Sequence, residues 1–332
     1  MVDTISIQLK LISHGDLMLK HNIEQQIVPL KHQPFSKGNI QFGIFTGKIK
    51  HFGIWFNSIK RYVLIHFNPS NLLNKKPQEK DVDVIEQIIL DFANADLKIA
   101  PKDILQFNLN RIDYKVDFRV NSNEEKNIIY DLMNITTNRF NNIVKIPTKT
   151  SIRYNPKNGY IEFITYDKEQ EVIDKGYFKG TELEFFKKYQ NVIRTEIRIK
   201  NRKLNYNRRK FGLAKDLSNY LKEDMAEYYF NTYAEKIWYS EDFYRIDIAL
   251  KIINNAKNLS KNMKKKLCNL LKTIHFFGFS SSQQLYDKKY SRVTFRDHIK
   301  RIRALGINPL TFKSTYSIKK MKNFSLRKGD IS

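Results

Sequence analysis

Three short segments of the chain combine carboxylates with cationic side chains. They are residues 111–117 (RIDYKVD), 166–171 (YDKEQE) and 194–200 (RTEIRIK). The first and third alternate strictly between apolar and charged residues, which predicts β-strands with one apolar and one charged face. Such a charged face holds both the oxygen ligands that a divalent metal ion prefers and the cations that bind a phosphodiester. The charged face is therefore a candidate site of phosphoryl-transfer chemistry.

Metal binding and covalent chemistry would use different residues of these segments. Asp113 and Glu196, on neighbouring strands, would share one Mg²⁺ or Mn²⁺, because oxygen ligands suit these ions. Neither a His-Glu-x-x-His motif nor a cysteine cluster is present in the chain. Tyr166 is the natural nucleophile, and we expect its cationic neighbours to lower its pKa below the ordinary value of about 10. The cationic side chains that would offset charge on the phosphoryl transition state are Lys168, Arg194 and Arg198.

Both features also have a purely structural interpretation. Opposite charges that alternate along neighbouring strands commonly form ion-pair ladders on an exposed sheet face, and such pairs contribute little free energy. Tyr166 is one of 18 tyrosines, and a tyrosine on a strand usually packs against its neighbours. Alternation by itself leaves a catalytic face and an ion-pair ladder both open.

The three segments lie in a region, residues 1–205, whose pattern predicts an α+β domain with a largely antiparallel sheet and packed helices. Alternating apolar residues predict strands at residues 4–12, 39–46, 48–56, 61–67, 110–120, 151–154, 160–166 and 192–200. Apolar stripes and capping residues predict helices at 81–94, 123–140 and 181–190. We expect this domain to carry the candidate catalytic residues.

Residues 206–332 are predicted to form a mostly α-helical, basic domain with 27 Lys and Arg against 11 Asp and Glu. Its helices are predicted at residues 214–229, 230–254, 260–275, 280–288 and 292–304. The last two, separated by a short break, resemble a helix-turn-helix over residues 280–305. An ordinary helical hairpin with a solvated basic face is the alternative. The cationic residues expected to contact DNA are Arg292, Arg296, Lys300, Arg301 and Arg303.

Composition narrows the class of partner. A formal net charge of +25 favours a polyanion, nucleic acid foremost, although membrane and ribosome surfaces are also anionic. Cys268 is the only cysteine, which suits a reducing cytoplasm. The chain shows neither a signal-peptide pattern nor a membrane-length apolar stretch, so we predict a cytoplasmic protein with no membrane partner. The sequence contains no glycine-rich phosphate-binding loop, so it gives no support for ATP hydrolysis.

The order and spacing of the motifs resemble those of a known family. Arg-Ile-Asp at 111–113, Tyr-x-Lys-x-x-Glu at 166–171 and Arg-x-Glu-x-Arg-Ile-Lys at 194–200 are similar to the filamentous-phage replication initiators, the gene II protein family. The likeness continues in matching order at residues 68–73, 90–94, 276–279 and 304–309. Plasmid rolling-circle initiators without a His-x-His motif carry similar signatures.

The resemblance implies a Mg²⁺-dependent DNA nicking-and-joining enzyme of the host-cell cytoplasm. Such an enzyme nicks one strand of the double-stranded origin, exposes a 3′-hydroxyl for rolling-circle synthesis, and later recloses the displaced single strand. A host helicase and a host polymerase would be its partners. The resemblance places the nucleophile on Tyr166 and metal ligands on Asp113 and Glu196, with Asp117 and Glu171 as further acidic candidates. The supporting catalytic cations are again Lys168, Arg194 and Arg198.

Two other functions remain open from the sequence. The first is a non-catalytic DNA-binding regulator of replication, which would need only the basic helices. The second is a Mg²⁺-dependent nuclease that uses water as its nucleophile, which would keep the carboxylates but would not need Tyr166. Replacement of Tyr166 distinguishes these functions from a tyrosine-dependent nickase.

Overall fold

The protein has an α+β fold, as the sequence predicts. A computed structural model describes residues 2–12, 35–37, 40–42, 44–57, 60–136, 143–147, 150–156, 160–176 and 187–323. Antiparallel sheet occupies the N-terminal part, and packed helices occupy the C-terminal part. Within these described residues, no helix combines the length and apolar character needed to cross a lipid bilayer.

The chain forms two compact units, each built from non-contiguous segments. The first unit comprises Met1–Lys115, Gly159–Ile161 and Arg198–Glu227. Its main strands are β1 (Val2–Leu11), β4 (Ile44–Ile49), β5 (Phe52–Asn57), β6 (Tyr62–Phe67) and β7 (Ile104–Arg119), and a separate hairpin contains β2 (Phe35–Lys37) and β3 (Ile40–Phe42). Antiparallel pairing gives the order β4-β5-β6-β1-β7. Alternate residues of the central strands form the apolar core, including Ile5, Ile7, Leu9, Val63, Ile65, Leu109 and Ile112.

The second unit comprises Val116–Asn158, Glu162–Ile197 and Tyr228–Ser332. Its strands are β8 (Ile143–Pro147), β9 (Ser151–Pro156), β10 (Ile161–Asp167) and β11 (Val192–Lys200). β8 pairs with β9 and β9 with β10, both antiparallel. The Thr165 and Thr195 hydroxyls lie 3.1 Å apart, which makes β10 and β11 neighbours. Tyr166 and Glu196, one residue further along each strand, therefore share the opposite face.

Short helices connect the strands and orient the charged segments. They are α1 (Pro69–Leu73), α2 (Val82–Ala95), α3 (Asn123–Ile135), α4 (Lys168–Asp174), α5 (Asn201–Phe211) and α6 (Leu217–Tyr220). The side chain of Asp167 accepts a hydrogen bond from the Gln170 amide at 3.0 Å, so it caps the N-terminus of α4. The chain thus changes from strand to helix directly after Asp167, and Lys168 and Glu171 fall on the first turn of α4.

The C-terminal helices are α7 (Glu223–Trp238), α8 (Ile246–Asn255), α9 (Lys261–Phe277), α10 (Phe279–Lys289) and α11 (Arg292–Ala304), with a small sheet of β12 (Phe243–Tyr244) and β13 (Lys320–Met321). α9 packs against α8, α10 and α11. Gly278 has a φ of 73°, a left-handed conformation that lets the chain turn from α9 into α10. The buried side chains of this helical core include Leu267, Leu270, Leu271, Ile274, Phe295 and Ile302.

The predicted continuous helix over residues 230–254 is wrong. α7 ends at Trp238, and α8 begins at Ile246. Tyr239 adopts a left-handed φ of 58°, and the buried Asn308 amide donates to the carbonyl oxygens of Trp238 at 2.6 Å and Glu241 at 2.9 Å. These distant side-chain hydrogen bonds satisfy the carbonyls that a continuous helix would have used, so the chain can turn here.

Other helix boundaries also differ from the prediction. The helix predicted at 214–229 is instead the short α6 followed by the start of α7, and α5 was not predicted because its segment carries few apolar residues. The helix predicted at 123–140 ends at Ile135, and residues 137–142 lie outside the described part of the chain. Most of the helix predicted at 181–190 also lies outside it.

Candidate active site and cationic helices

In the first unit, Asp113 is held between two guanidinium groups. Its side chain is only 1% exposed. Arg111, on the same strand face two residues earlier, donates Nε to Oδ1 at 2.7 Å and a second bond from Nη2 to Oδ2. Arg198 of β11 donates Nε to Oδ2 at 3.0 Å. This predicted metal ligand is therefore a buried carboxylate that pairs with the partly exposed Arg198, a predicted catalytic residue.

In the second unit, Tyr166 forms a hydrogen bond with the other predicted metal ligand. Its phenol donates to Oε1 of Glu196 at 2.7 Å. Glu196 is buried at 7% exposure, whereas Tyr166 is the half-buried residue in an otherwise buried strand β10. Tyr166 is thus the least buried residue of β10, and its phenol proton points at a carboxylate.

The expectation that cationic neighbours lower the pKa of Tyr166 is wrong. Burial raises the pKa of the Tyr166 phenol well above its ordinary value, and the charge of Glu196 raises it further, while Arg194 acts in the opposite direction. Burial and the carboxylate outweigh the cation because the phenolate would sit against a negative charge in a poorly solvated site. Tyr166 is therefore a neutral phenol at physiological pH, and as a nucleophile it needs a base.

Two predicted catalytic cations gather around an aromatic ring that the sequence did not single out. The Lys168 ammonium lies 5.2 Å from the centroid of the Tyr189 ring and 6.0 Å from that of Tyr166. The Arg194 guanidinium lies 5.4 Å from the Tyr189 ring centroid. Cations over an aromatic face are attracted by its quadrupole. Tyr189 therefore helps to hold Lys168 and Arg194 beside Tyr166.

The remaining acidic candidates, Asp117 and Glu171, each pair with one of these cations. Arg194 donates Nε and Nη2 to the two carboxylate oxygens of Asp117 at 2.5 and 2.7 Å. Lys168 donates to Glu171 at 2.5 Å, and Lys175 donates to its other oxygen at 2.6 Å. Burial works to raise the pKa of Glu171, but the hydrogen bonds from both lysines outweigh it, so its pKa is lowered.

Three of the predicted metal ligands pair with cationic side chains of the protein and do not form an open metal site. Asp113, Asp117 and Glu171 each accept from at least one cationic side chain. In the part of the chain that the structure describes, no three His, Cys, Asp or Glu side chains come together as a metal-binding group. A divalent ion at these oxygens would compete with the guanidinium and ammonium groups.

A second tyrosine–carboxylate pair lies in the second unit, and no sequence pattern indicated it. The Tyr130 phenol donates to Oδ2 of Asp167. Lys126 bridges Glu169 at 2.5 Å and Asp167 at 3.4 Å. Burial, then the bond to Asp167, raise the pKa of Tyr130. Only the fold joins residues of α3 to the end of β10, so no local pattern signals this pair.

On α11, three of the five predicted DNA-binding residues share one face. Arg292, Arg296 and Lys300 recur every fourth position, are exposed, and line a groove of about 270 Å³ beside the buried Phe279 and Phe295. Among the residues that the structure describes, none of the three cations pairs with an acid. Their charges are available to a polyanion.

The other two predicted DNA-binding residues differ. Arg301 lies on another face of α11 and pairs with Asp297 at 2.8 Å. Arg303 lines the groove but donates to Glu241 at 2.8 Å and to Glu235 at 3.0 Å. Acidic partners neutralise both guanidinium groups, so both are weaker candidates for phosphate contacts.

No protein-family model matches the chain, and no curated protein matches its sequence.

Proposed function

We propose that this protein nicks one strand of DNA at a replication origin through Tyr166, initiates rolling-circle replication, and recloses the displaced strand. The observation that carries the proposal is the 2.7 Å hydrogen bond from the Tyr166 phenol to Glu196. A nucleophile within hydrogen-bond reach of a base, with cations beside it, is the arrangement that covalent phosphoryl transfer requires.

The proposed step is a displacement at phosphorus. The Tyr166 Oη attacks the scissile phosphate in line while its proton passes to Glu196. The Oη–P bond forms, the P–O3′ bond breaks, and the 3′-oxygen leaves and takes a proton from solvent. The 5′-phosphate stays on Tyr166, so its bond energy is conserved for rejoining. The raised pKa of Tyr166 makes the proton acceptor necessary, since little phenolate exists at neutral pH.

Lys168 and Arg194 would offset the negative charge that develops on the phosphoryl oxygens. The exposed cations of α11 would hold the DNA, because arginine and lysine neutralise backbone phosphates and release counterions. A Mg²⁺ requirement stays a prediction from the family resemblance. So do the location in the host cytoplasm and the action together with a host helicase and polymerase.

Nicking of supercoiled origin DNA tests the proposal. Wild-type protein is incubated with the DNA in Mg²⁺ or in EDTA, and the open-circular product and the covalent protein–DNA adduct are quantified. We expect Tyr166→Phe to abolish both products, because the nucleophile is removed and the ring is kept. We expect Glu196→Gln to slow nicking by about 10²- to 10⁴-fold, the usual contribution of a general base.

Tyr130→Phe is the matched control, because it removes a phenol that also donates to a carboxylate in the same unit. It should nick like the wild type. Nicking by Tyr166→Phe at the wild-type rate would reject the tyrosine mechanism in favour of a water-using nuclease. DNA binding by the wild type without any nicking would instead favour a replication regulator.

A further inference from the structure

A second cationic surface lies outside the predicted DNA-binding residues. Residues 248–286 contain no Asp or Glu. The lysines in this segment are Lys251, Lys257, Lys261, Lys264, Lys265, Lys266 and Lys272. Most of them belong to α9. Many lysines without any acidic residue among them produce a strong local positive potential.

Helical spacing brings three of these lysines to one face of α9. Lys261, Lys265 and Lys272 stand four and eleven positions apart, which returns them to nearly the same side of a 3.6-residue helix. All three are exposed. They line a recess of about 360 Å³ between α8 and α9, together with Cys268 of α9 and Asn254 of α8. Within the described chain, none of the three lysines pairs with an acid.

Lys264, in the same recess, has a structural role. Its ammonium donates to the carbonyl oxygen of Asn254 at 2.8 Å, near the C-terminal end of α8. Such a contact satisfies a carbonyl that the helix leaves unpaired. The neighbouring thiol of Cys268 lies 3.5 Å from Oδ1 of Asn254. Lys264 and Asn254 thus join α8 to α9, whereas the three exposed lysines make no such contact.

The position of these lysines is unfavourable for the helix itself. The first turn of α9 contains no acidic residue, and Lys261 stands there against the positive end of the helix dipole, which costs about 0.3–1 kcal/mol. Lys261 and Lys265 also repel each other as an i,i+4 pair. Helix stability does not explain the arrangement, whereas a bound polyanion would relieve both penalties.

We propose that this face of α9, with Lys261, Lys265 and Lys272, binds the sugar–phosphate backbone of DNA without regard to its sequence. The first and last lysines span about 16 Å along the helix at 1.5 Å per residue. One strand of duplex DNA places a phosphate about every 3.4 Å along the helix axis, so several successive phosphates lie within this span. The lysine ammonium is a point charge suited to phosphate contacts, and it lacks the planar fork with which arginine reads guanine.

The inference rests on the proposed function in that DNA is the substrate, but its test does not require nicking. Binding of fluorescent duplex and single-stranded DNA of arbitrary sequence is measured against salt concentration, in a Tyr166→Phe background. Replacement of Lys261, Lys265 and Lys272 by Gln should lower the slope of log K against log salt by about 2–3, since each lost phosphate contact contributes about 0.9 for duplex DNA and 0.7 for single strands.

A matched control removes three exposed lysines from the first unit. Lys48, Lys60 and Lys102 are exposed, and their replacement by Gln causes the same loss of net charge. This control should keep nearly the wild-type slope. An equal loss of slope in both triple variants would overturn the inference, because general charge rather than a local site would then explain binding. A wild-type slope in the α9 variant would overturn it as well.

The single cysteine gives a second readout that does not depend on a variant folding correctly. Cys268 is half-buried in the recess, so DNA bound there should slow its alkylation by iodoacetamide at least severalfold. Inorganic triphosphate, ATP and vesicles containing anionic lipid are tested in parallel at matched phosphate concentration. Stronger protection by ATP or by the vesicles than by DNA would overturn the assignment to nucleic acid, as would unchanged alkylation with saturating DNA.

Discussion

The paired charges of β7 and β11 and the exposed cations of α9 and α11 have different environments. On the strands, cations contact acids: Arg111 and Arg198 contact Asp113, and Arg194 contacts Asp117. On α9 and α11, the exposed cations without an acidic partner among the described residues are Lys261, Lys265, Lys272, Arg292, Arg296 and Lys300. Both regions are rich in charge, so composition alone does not separate them.

The difference indicates a division of labour. Buried, paired charges have fixed geometry, and fixed geometry is what a reacting centre needs, because dipoles that are already oriented need no reorganisation. Exposed, unpaired cations attract a polyanion over long distances and are screened by salt. In the proposed function, the strands would therefore carry the chemistry at Tyr166, and the helices would bind DNA.

The largest expected effect is the loss of a buried carboxylate. Asp113→Ala leaves the guanidinium groups of Arg111 and Arg198 without their acid, so the free energy of unfolding should fall by roughly 3–5 kcal/mol. Asp297→Ala is the matched control, because its exposed pair with Arg301 should contribute less than about 1 kcal/mol. Urea unfolding measures both. Equal losses in the two variants would remove the distinction between strand and helix charges.

Lys215 differs from both groups of charges, because it is a buried cation whose hydrogen-bond partner is neutral. Its ammonium donates to Oδ1 of Asn201 at 2.6 Å, and burial, with a smaller effect of Arg208, lowers its pKa to about 8. The unfolded chain then binds more protons than the folded one between pH 8 and about 10.4. The charge therefore destabilises the fold below pH 8, and this cost disappears as the pH rises.

Lys215→Met tests the direction of this pH dependence of stability. Any stability that the variant gains over the wild type at pH 7 should shrink by roughly 2 kcal/mol by pH 9.5, because the wild type loses the penalty of a buried charge. Thermal or urea unfolding across this range gives the difference. A difference that stays constant with pH would show that Lys215 keeps an ordinary pKa.

Neutralising the exposed face of α11 should change DNA binding but not stability. Replacement of Arg292, Arg296 and Lys300 by Gln should weaken binding on the order of tenfold at 150 mM salt and lower the salt slope by about 2–3. The free energy of unfolding should change by less than about 0.5 kcal/mol per site. Fluorescence anisotropy and urea unfolding provide the two measurements. A large loss of stability with unchanged binding would contradict the assigned role.

The smallest effect is expected within α11 itself. Arg296→Gln should lower the salt slope by about 0.9, the contribution of one duplex phosphate contact. Arg301→Gln should leave it nearly unchanged, because Asp297 already neutralises that guanidinium. Titrations of the two single variants under identical conditions compare them directly. A larger change for Arg301 would mean that its pair with Asp297 opens when DNA binds.

Local sequence patterns determined much of this protein. Alternation predicted β11 and residues 110–119 of β7, and helical spacing predicted α9, α10 and α11 to within a few residues, because side-chain periodicity is a property of the chain itself. The net charge and its concentration after residue 206 are likewise independent of the fold.

Tertiary structure decided what the pattern left open. Alternation put Asp113 and Glu196 on charged faces but did not show that these faces are buried, because burial depends on what packs against a strand. The raised pKa of Tyr166 follows from that burial and from Glu196, and the break after α7 follows from Asn308, far along the chain. Ion pairing, desolvation and long-range hydrogen bonds arise between distant segments, so only the folded chain specifies them.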